Sequence, residues 1–168
     1  MLWQAELREA LRVVRLSCRL AAQFRSEIQQ SALEKADRTP VTVADLAIQA
    51  CVIHELSGAF PSDRFIAEES SSTVRSNPAL VGPLEALMRS QGYGLGVDEI
   101  CDVLDRGAET GTRGRVWTLD PIDGTKGFLR GGQYAVALAL LVDGAVELGV
   151  VGCPALPDSF LAPDGNVG

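Results

Sequence analysis

Trp117-Thr-Leu-Asp-Pro-Ile-Asp-Gly-Thr-Lys-Gly-Phe-Leu-Arg130 decides how this chain is read. A short apolar strand runs into two carboxylates, Asp120 and Asp123, set on either side of Pro121-Ile122 and followed at once by Gly124-Thr125. Pro121 has a fixed φ and biases Asp120 away from helix, so the acids are expected on a stiff turn after a strand over 115–119. Oxygen ligands held in that way suit a hard cation such as Mg²⁺. Gly124 lets a helix start close behind, and free amides at such a turn attract phosphate oxygens. Asp-Pro and Asp-Gly are also ordinary turn dipeptides, so the stretch has to be weighed with the rest of the chain.

Working outward, the 168 residues are enough for one domain with a real core. The formal net charge is −7, which argues against bulk attraction to nucleic acid or to an anionic membrane surface. No apolar run reaches the roughly 18 residues of a membrane-spanning helix. A phosphorylated substrate would need local compensation of charge, which bound cations can supply. Cys18, Cys51, Cys101 and Cys153 are widely spaced and form no C-x-x-C pair. They read as buried thiols in a reducing compartment rather than as a zinc or redox motif. His54 is the one histidine and lies in a helical stretch, where packing is the expected role. The chain opens on an amphipathic helix without the apolar core of a signal peptide, so a cytoplasmic location is expected.

The apolar residues Trp3, Leu7, Leu11, Val14, Cys18, Ala21 and Ile28 recur at helical spacing. Residues 34–40 read as a loop, and a second helix is expected over 43–57, closed by Gly58 and Pro61. Phe65-Ile66-Ala67 forms a short strand that leads into Glu68-Glu69. The serine-rich stretch 70–76 reads as mobile. Asn77-Pro78 caps a helix that runs to Gln91, and a shorter helix carries Val97, Ile100 and Leu104. Residues 107–114 make a flexible loop. Alternation over 134–142, the pair Asp143-Gly144 and a second apolar run over 146–150 predict a hairpin with a type I′ turn. Both of its faces are largely apolar, so cover is expected on both sides. The end of the chain, 163–168, shows no closing element, and no internal repeat is present.

Three acidic spots therefore each stand at the end of a regular element: Asp45, Glu68-Glu69 and Asp120-Pro-Ile-Asp123. Singly, each has an ordinary structural explanation. Thr42 with Asp45 can be an N-cap and its first-turn acid, and a glutamate pair can be a solvated loop. Their order and context point elsewhere. Val41-Thr-Val-Ala-Asp45, Phe65-Ile-Ala-Glu-Glu-Ser70 and Trp117 to Thr125 resemble the lithium-sensitive, magnesium-dependent phosphatase superfamily of the inositol monophosphatases. The extension from Lys126-Gly-Phe-Leu-Arg-Gly-Gly-Gln-Tyr-Ala-Val136 onward to Gly144 looks like its 3′(2′),5′-bisphosphate nucleotidase branch.

The resemblance implies an α+β fold, the N-terminal half of a layered α/β sugar-phosphatase sandwich with helices on a mostly antiparallel sheet, as one domain over 1–168. It implies that Glu68, Asp120, Asp123 and the carbonyl of Ile122 ligate Mg²⁺. It implies that Asp45 and Thr125 orient and deprotonate the attacking water, and that Gly124 and Thr125 hold a substrate phosphate. The implied partner is a small phosphorylated nucleotide, 3′-phosphoadenosine 5′-phosphate or its sulfated form. An inositol phosphate, or a non-catalytic remnant that binds Mg²⁺ weakly, are the alternatives. Members of the family carry a second half with a Trp-Asp-x-Ala-Ala-Gly motif, which has no match here, and they are expected to be monomeric, whereas this chain is expected to self-associate.

Overall fold

The computed structural model describes residues 2–31 and 39–156. In chain order it contains α1 (Gln4–Ser31), α2 (Thr39–Ala59), β1 (Arg64–Ala67), α3 (Ser71–Ser76), α4 (Val81–Ser90), α5 (Val97–Asp105), β2 (Arg115–Asp123), α6 (Thr125–Leu129), β3 (Ala135–Val142) and β4 (Ala145–Gly152). The four strands form one sheet in the order β1-β2-β3-β4. The β1–β2 pair is parallel and the other two pairs are antiparallel. The architecture is thus α+β on a mixed, mostly antiparallel sheet.

The centre of the fold is α2. Val43, Ala44, Leu46, Ala47, Ile48, Ala50, Cys51, Val52, Ile53 and Leu56 are all buried, so this helix is enclosed around most of its girth rather than along one stripe. It packs against α1, α4, α5 and β2, while α1 covers β3 and β4. The contact between α1 and β4 is close: a side chain at Gly152 would run into Cys18 and Val14. Across the sheet, Trp117 pairs with Leu140, Leu119 with Leu138, and Leu138 with Val150, which sets one continuous apolar face against the helices.

The opposite face differs from the expected two-sided cover. There Ala137, Ala139 and Leu141 are half-buried, while Val146 and Val151 beside them are 67% and 64% exposed. Among the described residues nothing packs over them, because the helices that touch the sheet lie on the other side.

Several local expectations are met and several are corrected. Asp143 and Gly144 have φ of 50° and 85°, both positive as a type I′ turn requires. Asn77 caps the turn at Pro78 through its side chain, and that 3₁₀ turn continues into α4. The serine-rich stretch is ordered as α3, because Ser70 accepts a hydrogen bond from the amide of Ser72 and so caps it. The second helix begins at Thr39, with Pro40 in its first turn where no amide is needed, so Thr42 lies inside the helix and is not its cap. Most of the loop expected over 34–40, and the closing stretch 163–168, lie outside the described residues. Cys51 and Cys101 are buried, but Cys18 is half-buried and Cys153 is exposed. His54 packs edge-on against Tyr93, a structural role.

Candidate active site

Three elements converge on one end of the sheet. In the parallel pair, Ala67 stands opposite Leu119, so the residues that follow, Glu68 and Asp120, emerge side by side. This is a direct consequence of parallel pairing, which brings both C-terminal ends to the same edge. The first half of α2 supplies Asp45. Gly124, with φ of 85°, then turns the chain from β2 into α6, which places Thr125 and Lys126 on the cavity that Asp45 also lines.

The acid-bearing stretch is a bulged strand rather than the expected turn. Asp120 pairs with Ala137 and Asp123 with Ala135, so three steps on β2 match two on β3. The extra residue falls at Pro121-Ile122, where proline has no amide to offer the ladder. As a result Pro121 and Ile122 are both buried and Asp123 is exposed.

A cavity of about 320 Å³ is lined by Thr42, Asp45, Glu68, Glu69, Thr125, Lys126 and Leu129. It brings together Asp45, Glu68 and Thr125 of the residues singled out in the sequence. Asp120, Ile122 and Asp123 do not line it. The hydroxyl of Thr125 donates to the carbonyl of Ile122 at 3.3 Å rather than to Asp45.

The electrostatics are those of crowded acids. Burial pushes Asp45 up to about 8, with further contributions from the negative charges of Glu69, Glu68 and Asp120. Asp120 is raised by burial and then by Glu68 and Asp123. Glu69 is raised by burial and by Glu68. Among the described residues Lys126 is the one basic side chain lining the cavity, and it forms no ion pair with any of these acids.

One oxygen of Asp120, Oδ1, is buried without a hydrogen-bond partner. A buried carboxylate oxygen left in this way is costly, and a cation would satisfy it. Carboxylates and a backbone carbonyl are the ligand chemistry of Mg²⁺, which commonly takes one or two protein carboxylates and completes its shell with waters and substrate phosphates. Among the described residues no group of three Asp, Glu, His or Cys side chains is placed to hold a metal ion, so Glu68, Asp120 and Asp123 do not stand together as a three-acid site. It is the chemistry of the donors and the unpartnered oxygen of Asp120 that fit Mg²⁺.

Sequence reasoning did not assign Glu69, Lys126, Leu129 or Gln49 a role. Lys126 stood inside the quoted motif, and Glu69 acts on Asp45 more strongly than Glu68 does. Gln49 had no signal beyond its position four residues after Asp45, one turn along the same helix face.

The fold is thus α+β, with acids gathered at the carboxyl ends of a parallel strand pair and followed by a Gly-Thr turn. The Inositol monophosphatase family matches residues 4–167, and the chain belongs to this family. Within it, the chain is 43% identical over 145 residues to a 3′(2′),5′-bisphosphate nucleotidase of Emericella nidulans, covering 79% of this chain and 41% of that one. It is 42% identical over 176 residues to 3′(2′),5′-bisphosphate nucleotidase 1 of Arabidopsis thaliana, covering 96% of this chain and 50% of that one. The chain spans about half the length of the curated relatives it matches. The fold also resembles the crystal structure of extragenic suppressor protein suhB from Bartonella henselae, with a TM-score of 0.55 at 23% identity over 90% of this chain and 46% of that one. Among the described residues no helix is long and apolar enough to cross a membrane.

Proposed function

We propose that this chain carries the metal-binding and water-activating part of a Mg²⁺-dependent 3′(2′),5′-bisphosphate nucleotidase, which removes the 3′-phosphate of 3′-phosphoadenosine 5′-phosphate to give AMP and phosphate. The observation that carries the reading is the convergence of Asp45, Glu68 and Thr125 on one cavity, backed by the unpartnered oxygen of Asp120. The named relatives and the Mg²⁺ dependence general to the family support it.

In this reading Glu68, Asp120, Asp123 and the Ile122 carbonyl hold Mg²⁺. When bound, Mg²⁺ neutralises phosphate charge and makes water a better nucleophile. Asp45 accepts the hydroxyl proton of Thr125, which turns from Ile122 toward the cavity and in turn accepts a proton from the attacking water. The amides of Gly124 and Thr125 hold a phosphate oxygen. Lys126 adds the positive charge that an anionic nucleotide needs near so many acids.

The test is phosphate release from 3′-phosphoadenosine 5′-phosphate in Mg²⁺ buffer, by this chain alone and co-expressed with the C-terminal half of the Arabidopsis relative. Turnover is expected in the co-expressed sample and is expected to stop on chelation. Asp123→Asn should remove nearly all of it, since an amide is a poorer Mg²⁺ ligand. Thr125→Ala should keep metal binding and lose turnover. Near wild-type turnover in Thr125→Ala would show that the hydroxyl has no part in proton transfer.

A further inference from the structure

Gln49 is fully buried on α2, yet its side chain is spent entirely on the backbone of one residue of the acidic loop. Its Nε2 donates to the carbonyl of Glu69 at 2.7 Å, and its Oε1 accepts from the amide of Glu69 at 2.8 Å. The two bonds form a reciprocal clasp between the helix that carries Asp45 and the loop that carries Glu68 and Glu69. Asp45 and Gln49 are four residues apart and so share a helix face.

The clasp is backed from behind. Ala67 donates its amide to the carbonyl of Gly107 at 2.9 Å. A Cβ at Gly107 would lie 3.1 Å from the side chain of Ala67 and 3.2 Å from Nε2 of Gln49. The amide of Gln49 is therefore held between the loop after β1 and the loop after α5, and has little freedom to shift.

We infer that Gln49 is a positioning residue that fixes the loop carrying the Mg²⁺ ligand Glu68 against α2, and thereby selects Mg²⁺ over larger divalent cations. The inference rests on the Mg²⁺ site proposed above. Its physical basis is the different tolerance of the two ions. Mg²⁺ demands short, near-octahedral ligand geometry, whereas Ca²⁺ accepts longer and more variable contacts. A ligand loop pinned at two atoms serves the first ion, and a loosened loop costs the second far less. Groups that orient metal ligands without touching the metal commonly change metal affinity by about ten- to a hundredfold when removed.

Calorimetric titration of the whole chain with Mg²⁺ and, separately, with Ca²⁺ tests this on the wild type, Gln49→Met and Leu84→Ala. Methionine keeps the bulk of Gln49 and removes both hydrogen bonds. Leu84 is buried in α4 and lines no part of the cavity, so its truncation reports loss of stability alone. Gln49→Met should weaken Mg²⁺ binding about tenfold and Ca²⁺ binding less than about threefold. Leu84→Ala should leave the ratio of the two affinities unchanged even where its melting temperature falls as far. An unchanged ratio in Gln49→Met, or an equal change in Leu84→Ala, would overturn the inference. Should Gln49→Met fail to fold, Gly107→Ala presses on the same amide without removing it, and a folded Gly107→Ala with the wild-type ratio would overturn it as well. A wild type that binds neither ion would remove the Mg²⁺ site and this inference together, which separates that failure from a positioning failure.

Discussion

The two ends of the parallel pair β1–β2 treat a buried carboxylate in opposite ways. At the amino end, Asp63 accepts from Arg115 Nε at 2.7 Å, Arg115 Nη2 at 2.9 Å and Trp117 Nε1 at 2.9 Å. Arg115 lies in turn over the rings of Trp3 and Phe60 and reaches Glu6. At the carboxyl end, a few residues along the same strands, one oxygen of Asp120 is buried without a partner, and among the described residues no ion pair neutralises the acids around it. A closed, cation-paired carboxylate holds the strands together. An open cluster of acids stores repulsion, which the fold tolerates where a cation and a phosphate are to arrive.

The largest expected effect is at the closed end. Asp63→Ala leaves the buried indole N–H of Trp117 unpaired and removes two charge-assisted bonds from Arg115, which keeps Glu6, and should cost about 3–5 kcal/mol. Thermal unfolding measures it, and a loss under about 1 kcal/mol would mean that this cluster is not what fastens β1 to β2.

The open end should respond with the opposite sign. The folded-state pKa of Asp45 is pushed up to about 8. A carboxyl whose pKa is raised on folding contributes stability that is present at low pH and is lost as pH rises through the folded value. Without divalent ions, the chain should therefore lose stability between about pH 4 and pH 8. Asp45→Asn should flatten that profile, leaving stability unchanged at pH 4 and raising it by about 2–4 kcal/mol at pH 8. Denaturant titrations at the two pH values decide it, and a variant no more stable than wild type at pH 8 would refute the cost of burying a charged Asp45 among other acids.

A smaller effect separates Asp120 from its neighbours. Mg²⁺ at about ten times its Kd should stabilise the wild type by about 1.4 kcal/mol through mass action. Asp120→Asn should lose that gain, because its unpartnered oxygen becomes part of an amide. Melting curves with and without Mg²⁺ show the difference, and an equal Mg²⁺ gain in the variant would exclude Asp120 as a ligand.

The smallest effect on stability is expected on the open sheet face. Val151→Thr should change stability by no more than about 0.5 kcal/mol. Together with Val146→Lys it should reduce self-association through an apolar face and an unpaired β4 edge. Light scattering after size-exclusion chromatography checks this, and a wild type that is already monomeric would contradict it.

Much of this was legible in the sequence because its signals are local. Asp143-Gly144 dictates its turn through positive φ, the alternation of 134–142 fixes the hairpin, and Asp120-Pro-Ile-Asp123 marks the acids wherever the strand ends. What was not legible depends on contacts between distant segments. Whether 70–76 is a loop or a helix turns on one hydroxyl capping one amide. The burial of α2 on nearly every side reflects neighbours from four other elements. Glutamine is equally common on surfaces, so nothing in the residue itself marks Gln49 as the fastening of a loop twenty residues away.

The bulge at Pro121-Ile122 gives β2 two rhythms. Before it, Trp117 and Leu119 face the helices on odd numbers; after it, the beat shifts, and the even-numbered Ile122 goes inward. The strand thus counts in a way that permits no edits. Deleting one residue between Asp120 and Asp123 would remove the bulge and restore a plain alternation, leaving Asp123 on its face but drawing it one step closer to Asp120 along the strand. The stretch just ahead is tied at both ends, where Ala108 bridges to Ile66, the amide of Glu109 donates to Phe65, and Arg113 and Gly114 are held by Arg64 and Asp143, so only 110–112 should absorb changes of length. Tolerance of insertion would then fall abruptly along a few residues of chain, from permissive at Thr110 to Thr112 to forbidden from Trp117 to Gly124.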